Sequence, residues 1–168
     1  MVGRTTKRFC NSTWTTKLSA CPSVGDNQGG EQRRPQVARQ HQNKRLSRTF
    51  VATREETPEN ICGYYALTLA ELDKRHLPDA RRKKLPNRIP GVRLARLAVA
   101  RQHQGKGLGE LLLIDALART RRIHAEGGGI GLFVDAIDEA AVAYYRKFGF
   151  EPSPDNSLLL FFLAAGTQ

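Results

Sequence analysis

The sequence has few of the features that mark disulfide-rich, metal-binding or membrane-spanning proteins. Its three cysteines are an odd number without a Cys-x-x-Cys pair, and its four histidines are not spaced as zinc ligands. No stretch approaches the roughly 18 consecutive apolar residues that span a bilayer. No apolar core follows the basic start of the chain, as a signal peptide would require. We therefore expect no disulfide framework, no metal, no membrane contact and a cytoplasmic location.

Acidic residues are also scarce compared with basic residues. There are 16 Asp and Glu against 27 Lys and Arg among 168 residues, which gives a net charge of +11. This excess predicts a polyanionic partner, such as a nucleic acid, an anionic cofactor or an acidic protein. The alternative is a well-solvated basic surface without a dedicated partner. The clustering of cations within residues 33–48 and 74–88 favours the first interpretation.

Large apolar residues are rare at the beginning of the chain. Residues 1–40 are rich in Thr, Ser, Asn, Gln, Gly and Arg and follow no clear helix or strand period, so we expect this segment to be disordered or divergent. A short helix is predicted over residues 36–44. The remainder, residues 41–168, is predicted to be one folded domain that is long enough to bury a core.

From residue 47 onward, apolar and β-branched residues follow strand and helix periods. Helices are predicted over residues 107–122 and between Asp138, a good N-cap, and Gly149, a good helix stop. The first two strands should pair as an antiparallel hairpin. This order of strands and helices predicts an α/β fold of the α+β class. A basic connection interrupted by prolines is expected over residues 74–90. The predicted strands are residues 48–53, 61–69, 92–99 and 130–137, then a short strand at Phe150, and finally residues 158–163.

The stretch 104–109 reads Gln-Gly-Lys-Gly-Leu-Gly and lies between the third predicted strand and the long helix. Free backbone N–H groups and the dipole at a helix start favour an anion there, and glycine lets a phosphate come close. The spacing is not that of a Rossmann loop, because Glu110 stands where the third glycine would be. It is not a Walker A loop either, because Ala100 and Gly107 replace its first glycine and its Ser or Thr. Another kind of anion-binding loop is predicted, with a purely structural turn as the alternative.

Residues 104–109 fit the pattern Q/R-x-x-G-x-G/A, and in this the chain resembles the GNAT superfamily of N-acetyltransferases. The segments 47–51, 63–67, 94–99 and 143–150 are similar to one branch of it, the acetyltransferase toxins of bacterial type II toxin–antitoxin systems. The resemblance covers about residues 40–163. It implies the GNAT fold, with a mixed, mostly antiparallel central sheet flanked by helices. Residues 1–40 depart from it, because they lack the first strand and the amphipathic helix with a Cys-Gly turn.

The resemblance implies acetyl-CoA-dependent acetylation of the amino group of an aminoacyl-tRNA, which blocks translation. It implies a ribbon-helix-helix antitoxin as a second partner, and homodimers are common in the family. The residues leave two alternatives open. One is an N-acetyltransferase that acts on a protein N-terminus or a small amine, and the other is an inactive basic module that binds nucleic acid or an antitoxin.

The same resemblance implies roles for individual residues. Tyr145 matches the general acid that protonates the leaving thiolate, with a packing role in the helix as the alternative. The implied cofactor-binding residues are Leu97, Ala98 and Val99 for the pantetheine arm, and Gln104, Gly105, Lys106, Gly107, Leu108 and Gly109 for the pyrophosphate. The candidate tRNA-binding residues are Arg81, Arg82, Lys83, Lys84, Arg88 and Arg96. A general base is not required, because a free α-amino group titrates near neutrality; the candidates are His103, Asp135, Asp138 and Glu139.

Overall fold

The structure is a computed structural model that describes residues 47–83 and 85–163. The segment 1–40 predicted to be disordered, the helix predicted over residues 36–44 and the cations up to residue 46 lie outside the described residues, as does Lys84. None of the helices in the described ranges is long and apolar enough to cross a membrane.

The predicted strands and helices appear in the predicted order, but most of their bounds differ by one or more residues, and the short strand predicted at Phe150 lies at Glu151–Pro152. The predicted first strand is confirmed, and the helix after the glycine loop begins one residue later than predicted and runs five residues further. Its end is marked by Gly128, which has a positive φ of 73° and donates its N–H to the His124 carbonyl over 2.8 Å. The elements are β1 (Arg48–Thr53), β2 (Ile61–Asp73), α1 (Asp79–Arg82), β3 (Arg88–Val99), α2 (Leu108–Gly127), β4 (Gly131–Asp135), α3 (Glu139–Arg146), β5 (Glu151–Pro152) and β6 (Leu159–Leu163).

Two strands are longer than the sequence pattern indicates. β2 continues through Glu71 to Asp73, because Leu72 is buried while its neighbours face outward. β3 begins four residues before the predicted start and includes Pro90. A proline lacks the N–H that a strand needs, but the Pro90 carbonyl still accepts from the Ile130 N–H over 2.9 Å. Pro90 therefore interrupts the strand pattern of the sequence without ending the strand itself.

The strands form one mixed sheet in the order β1-β2-β3-β4-β6-β5. β3 and β4 are parallel, with Val92 opposite Leu132, and α2 connects them. β4 pairs antiparallel with β6, and β6 pairs antiparallel with the short β5. The mixed sheet with flanking helices confirms the predicted fold class.

Contacts divide the described chain into two compact units. Unit 1 contains residues 47–66 and 96–114, and unit 2 contains residues 67–95 and 115–163. In unit 1, Gly63 allows β2 to pass close to β3 and to α2. A Cβ built on Gly63 would lie 3.0 Å from the Ala98 carbonyl oxygen and 3.0 Å from a methyl group of Leu112. This close approach positions the end of β3 against the first turns of α2.

Unit 2 has its own apolar core, formed by β4, β6 and the segments around β2 and β3. Residues 131–134 of β4 are all buried, which is typical of a strand that is covered on both faces. Asp115 and Arg119, four residues apart on α2, form an ion pair at 2.8 Å. The core residues are Leu72, Leu77, Ile89, Ile130, Phe133, Leu159 and Phe161.

A polar cluster fastens the turn after β2 to the turn before β6. The Asp155 carboxylate lies 3.0 Å from Nδ1 of His76, and the buried Ser153 hydroxyl donates to both Asp155 and the His76 carbonyl oxygen. The hydrogen bond from Ser153, followed by that from His76, lowers the pKa of Asp155 from 3.8 to about 2. Because the hydroxyl is directed at the carboxylate and not at the imidazole, the cluster is a structural clasp and not a nucleophilic triad.

The lowered pKa of Asp155 predicts an acid-dependent loss of stability. A carboxylate whose pKa is depressed by folding stabilises the protein above its unfolded pKa, and this contribution is lost as the pH falls from about 4 to about 2. In chemical denaturation measured at several pH values, the free energy of unfolding of Asp155→Asn should fall less steeply over this range than that of the unsubstituted protein. Parallel pH profiles for the two proteins would contradict the assignment.

Candidate active site

The glycine loop joins the end of β3 to the start of α2 within unit 1. A short 3₁₀ turn over Arg101–His103 leads into it, held by a 2.8 Å bond from the His103 N–H to the Ala100 carbonyl. Gly105 and Gly107 then have φ angles of 70° and 78°, in the left-handed region that favours glycine. A Cβ at either position would have no neighbour within 4 Å. The glycines are therefore required by the backbone conformation, and the space above them is open.

The loop presents backbone donors to that open space. Among the residues that the structure describes, no group accepts a hydrogen bond from the N–H groups of Gly105, Lys106 or Gly107. α2 follows directly and is 20 residues long, so its own first-turn N–H groups and its dipole add to these unbonded donors. Open space, unbonded backbone donors and a helix start are what a pyrophosphate group needs. The loop thus fits the diphosphate of a nucleotide-type cofactor such as coenzyme A.

Two side chains hold the loop in place. Nε2 of Gln104 donates to the Val99 carbonyl oxygen over 3.0 Å, and Nζ of Lys106 donates to the Gln102 carbonyl oxygen over 3.0 Å. The first bond ties the loop to the last residue of β3. The sequence pattern identified Gln104 as part of the loop but gave no indication of this bond, because its acceptor is a backbone oxygen that becomes available only where β3 ends.

The end of β3 lies beside the loop in the same unit. Residues 97–99 are partly buried, and the Ala100 N–H donates to the Cys62 carbonyl over 2.9 Å. Unit 1 thus brings together the predicted pantetheine-binding strand and the predicted pyrophosphate-binding loop. Arg96 is exposed on the same strand and has no carboxylate partner in the described residues.

α3, which carries Tyr145, belongs to unit 2. Asp138 caps the helix by accepting a hydrogen bond from the Ala141 N–H over 2.8 Å, which confirms its predicted role as N-cap. Tyr145 is 8% exposed, and its ring lies between those of Tyr144 at 5.4 Å and Phe150 at 5.5 Å. The buried face of α3 is formed by Val142 and Tyr145, whereas Ala141, Tyr144 and Phe148 are only partly buried.

None of the described residues forms a hydrogen bond with the Tyr145 hydroxyl, and this hydroxyl is not one of the fully enclosed polar side-chain atoms. Burial raises the pKa of Tyr145 above its ordinary value of 10.0, so the phenol stays protonated at neutral pH. A protonated hydroxyl without a structural partner is available to donate a proton to a substrate.

Most of the candidate general bases either bond to other residues of the protein or are exposed. Asp135 forms an ion pair with Arg93, and Asp138 caps α3. Glu139 is exposed in the first turn of α3. His103 is partly buried in the 3₁₀ turn, 3.4 Å from the side-chain amide of Gln102. The arrangement favours none of them as a base.

Much of the predicted tRNA-binding charge is compensated locally. Arg81 pairs with Glu151 at 3.3 Å and Arg88 pairs with Glu71 at 3.2 Å. Arg82 pairs with Asp79 at 2.9 Å, and it also donates to the carbonyl oxygens of Leu77 and Arg75 over 2.6 Å. Arg82 therefore closes the turn before α1. Lys83 is exposed and has no carboxylate partner in the described part of the chain.

The chain is similar in sequence and in fold to several known proteins. Residues 45–152 match the family described as acetyltransferase (GNAT) domain. The chain is 37% identical over 117 residues to a tRNA-acetylating toxin of Mycobacterium tuberculosis, covering 70% of this chain and 69% of that protein. It is similar to the structure of AtaT complexed with acetyl-methionyl-tRNAfMet, with a TM-score of 0.70 and 30% identity over 88% of this chain and 85% of the other. It is also similar to AtaTR bound with AcCoA, with a TM-score of 0.64 and 36% identity over 79% and 78% of the two chains.

Proposed function

Because the chain belongs to the acetyltransferase (GNAT) domain family, we propose that it is a toxin that acetylates the amino group of an aminoacyl-tRNA and so blocks translation. The enzyme class, an N-acetyltransferase that uses acetyl-CoA, follows from the family itself. The observation that most supports a tRNA substrate is the similarity over 88% of this chain to a protein complexed with acetyl-methionyl-tRNAfMet. The net charge of +11 supports the same substrate class.

In this proposal the glycine loop holds the donor. The free N–H groups of Gly105, Lys106 and Gly107 and the first turn of α2 bind the pyrophosphate of coenzyme A, together with Gln104, Leu108 and Gly109. Backbone groups of Leu97, Ala98 and Val99 pair with the pantetheine arm, and a backbone donor there stabilises the charge that develops on the carbonyl oxygen. Bound acetyl-CoA supplies the acetyl group as a thioester.

Tyr145 acts as the general acid. As the amine nitrogen bonds to the acetyl carbon, the bond from that carbon to sulfur breaks, and the Tyr145 hydroxyl gives its proton to the sulfur. The proton released from the amine passes to solvent, from which Tyr145 is reprotonated. No side chain need act as base, because an aminoacyl ester has a usable neutral fraction of amine near pH 7.

The partners are part of the same proposal. An aminoacyl-tRNA is the acceptor, with Lys83 and Arg96 as the exposed candidates for phosphate contact and Arg81, Arg82 and Arg88 paired with carboxylates. Lys84 is a further candidate from the sequence. A related structure contains AtaT bound to the C-terminus of the antitoxin AtaR, which supports an antitoxin partner. We extend the proposal to an antitoxin of the ribbon-helix-helix type, a homodimer, a cytoplasmic location and a catalytic domain over residues 41–168.

The acceptor is tested by offering labelled acetyl-CoA with three amines: a charged tRNA, a peptide with a free N-terminus and a polyamine. Label should enter the charged tRNA and not uncharged tRNA. Transfer to the peptide or the polyamine alone would favour an enzyme of different specificity. No transfer to any acceptor, together with no binding of coenzyme A in calorimetry, would indicate an inactive basic module.

Gln104 gives a separate prediction about the donor side. In Gln104→Glu the side chain keeps its size but cannot donate to the Val99 carbonyl. Loss of one neutral hydrogen bond should raise KM for acetyl-CoA by about 2- to 10-fold, with kcat nearly unchanged. The matched control is Gln102→Glu, which adds the same charge two residues away without removing this bond. Equal effects of both substitutions on KM would show that only charge matters at the loop.

A further inference from the structure

Exposed cations lie on the two segments that flank Phe162 in unit 2. The Arg121 guanidinium on α2 lies 5.5 Å from the Phe162 ring centre. A Cβ built on Gly149, in the turn after α3, would lie 3.5 Å from the same ring. Arg146 and Lys147 stand three and two residues before Gly149, and the Gly149 N–H donates to the Arg146 carbonyl over 3.1 Å. Arg121, Arg146 and Lys147 thus belong to segments that meet at one aromatic ring, and we call them the Phe162 basic patch.

The charges of this patch are not compensated. Arg121, Arg146 and Lys147 are exposed, and none of them has a carboxylate within 4.0 Å among the residues that the structure describes. The arginines of the connection between β2 and β3 differ in this respect. Arg75, Arg81, Arg82 and Arg88 all form ion pairs with neighbouring carboxylates. The potential of the patch is therefore available to an external anion.

The composition of the patch favours phosphate over a protein surface. The centre of a protein–protein interface is depleted in charge and rich in apolar area, whereas this patch combines exposed cations with one half-buried ring. An Arg guanidinium held against an aromatic face presents a fixed fork of donors that matches a phosphate.

The patch is connected by packing to the helix that bears Tyr145. Phe150 lies 5.5 Å from the Tyr145 ring and 5.6 Å from the Phe162 ring. Arg146 and Lys147 directly follow Tyr145 in the chain. We propose that the Phe162 basic patch binds backbone phosphates of the substrate RNA, an inference that rests on the proposed tRNA substrate. The patch then contributes to affinity for the whole tRNA and not to the acetyl-transfer step.

The test compares Arg121→Glu/Lys147→Glu with the unsubstituted protein. Titration with full-length uncharged tRNA should show about tenfold weaker binding at low salt, and the slope of log affinity against log salt should fall by about 2, one for each phosphate contact. With full-length aminoacyl-tRNA, KM should rise by about tenfold while kcat stays within about twofold, because the patch contributes to binding and not to the acetyl-transfer step. Arg121→Gln/Lys147→Gln, which introduces no repulsion, should reduce the slope to the same extent.

Arg75→Glu is the matched control, because it reverses an exposed charge that already pairs with Asp73. An unchanged slope in the patch variants, or an equal loss in Arg75→Glu, would overturn the proposal. So would normal tRNA binding combined with lost antitoxin binding, which would assign the patch to an acidic protein. If the protein fails to acetylate charged tRNA but the patch variants still lose salt-dependent tRNA binding, the proposed acceptor is wrong while RNA binding by the patch stands.

Discussion

Replacing Tyr145 by phenylalanine is expected to lower kcat for acetyl transfer by about 10²- to 10⁴-fold, the usual contribution of a positioned general acid. The substitution removes only the hydroxyl, which bonds to none of the described residues, so the ring packing against Phe150 is kept. Affinity for acetyl-CoA should therefore change little, and stability should be nearly unaffected. Single-turnover transfer from labelled acetyl-CoA, together with calorimetry of coenzyme A binding, measures the two effects separately.

Tyr144→Phe is the matched control for this experiment. It makes the same chemical change at the preceding position of α3, on a side chain that is only partly buried and that packs against Phe148 at 5.1 Å. Turnover of Tyr144→Phe should stay close to that of the unsubstituted protein. Equal turnover of Tyr145→Phe and the unsubstituted enzyme would remove Tyr145 from the proposed role and leave it as a packing residue.

Gly107→Ala is expected to weaken acetyl-CoA binding by about 10- to 100-fold. An alanine at a positive φ costs about 1–2 kcal/mol in backbone strain, and the added Cβ occupies the open space that we assign to the pyrophosphate. Displacing the phosphate from one N–H loses a charge-assisted hydrogen bond, which is worth about 1.5–3 kcal/mol. Calorimetry measures the loss of affinity, and thermal unfolding measures the strain.

Gly128→Ala separates these two contributions. Gly128 has a φ of 73°, close to the 78° of Gly107, and a Cβ at either position would have nothing within 4 Å. Both substitutions should therefore destabilise the fold by similar amounts. Only Gly107→Ala should reduce affinity for acetyl-CoA. If Gly128→Ala reduces the affinity for acetyl-CoA equally, Gly107→Ala acts through stability alone. The assignment of the glycine loop to the pyrophosphate is then wrong.

The sequence predicts the parts of this fold that depend on local patterns. β1 and the cap at Asp138 follow from residue type and spacing, and the structure confirms both. Strand ends were less predictable. β3 extends back through Pro90 because a carbonyl and not an N–H is used there, and this depends on the tertiary position of Ile130.

The candidate site likewise has some features that the sequence predicts and others that only the structure reveals. The glycine spacing alone predicts an anion-binding loop, because positive φ angles and a helix start are local properties. The bond from Gln104 to Val99 and the unbonded Tyr145 hydroxyl depend on tertiary packing, and no spacing rule reveals them. The charge count predicts a polyanionic partner, but only the structure separates the compensated cations, such as Arg88, from exposed ones, such as Lys147.

The position of the acetyl group on the product tests the central claim most directly. The protein is incubated with labelled acetyl-CoA and a mixture of aminoacyl-tRNAs, the ester bonds are hydrolysed, and the released amino acids are identified by mass spectrometry. An N-acetylated amino acid is the predicted product, and formyl-methionyl-tRNA, whose amine is blocked, should accept no label. Label on the RNA itself, transfer to the blocked tRNA, or no labelled amino acid from any charged tRNA would contradict the account.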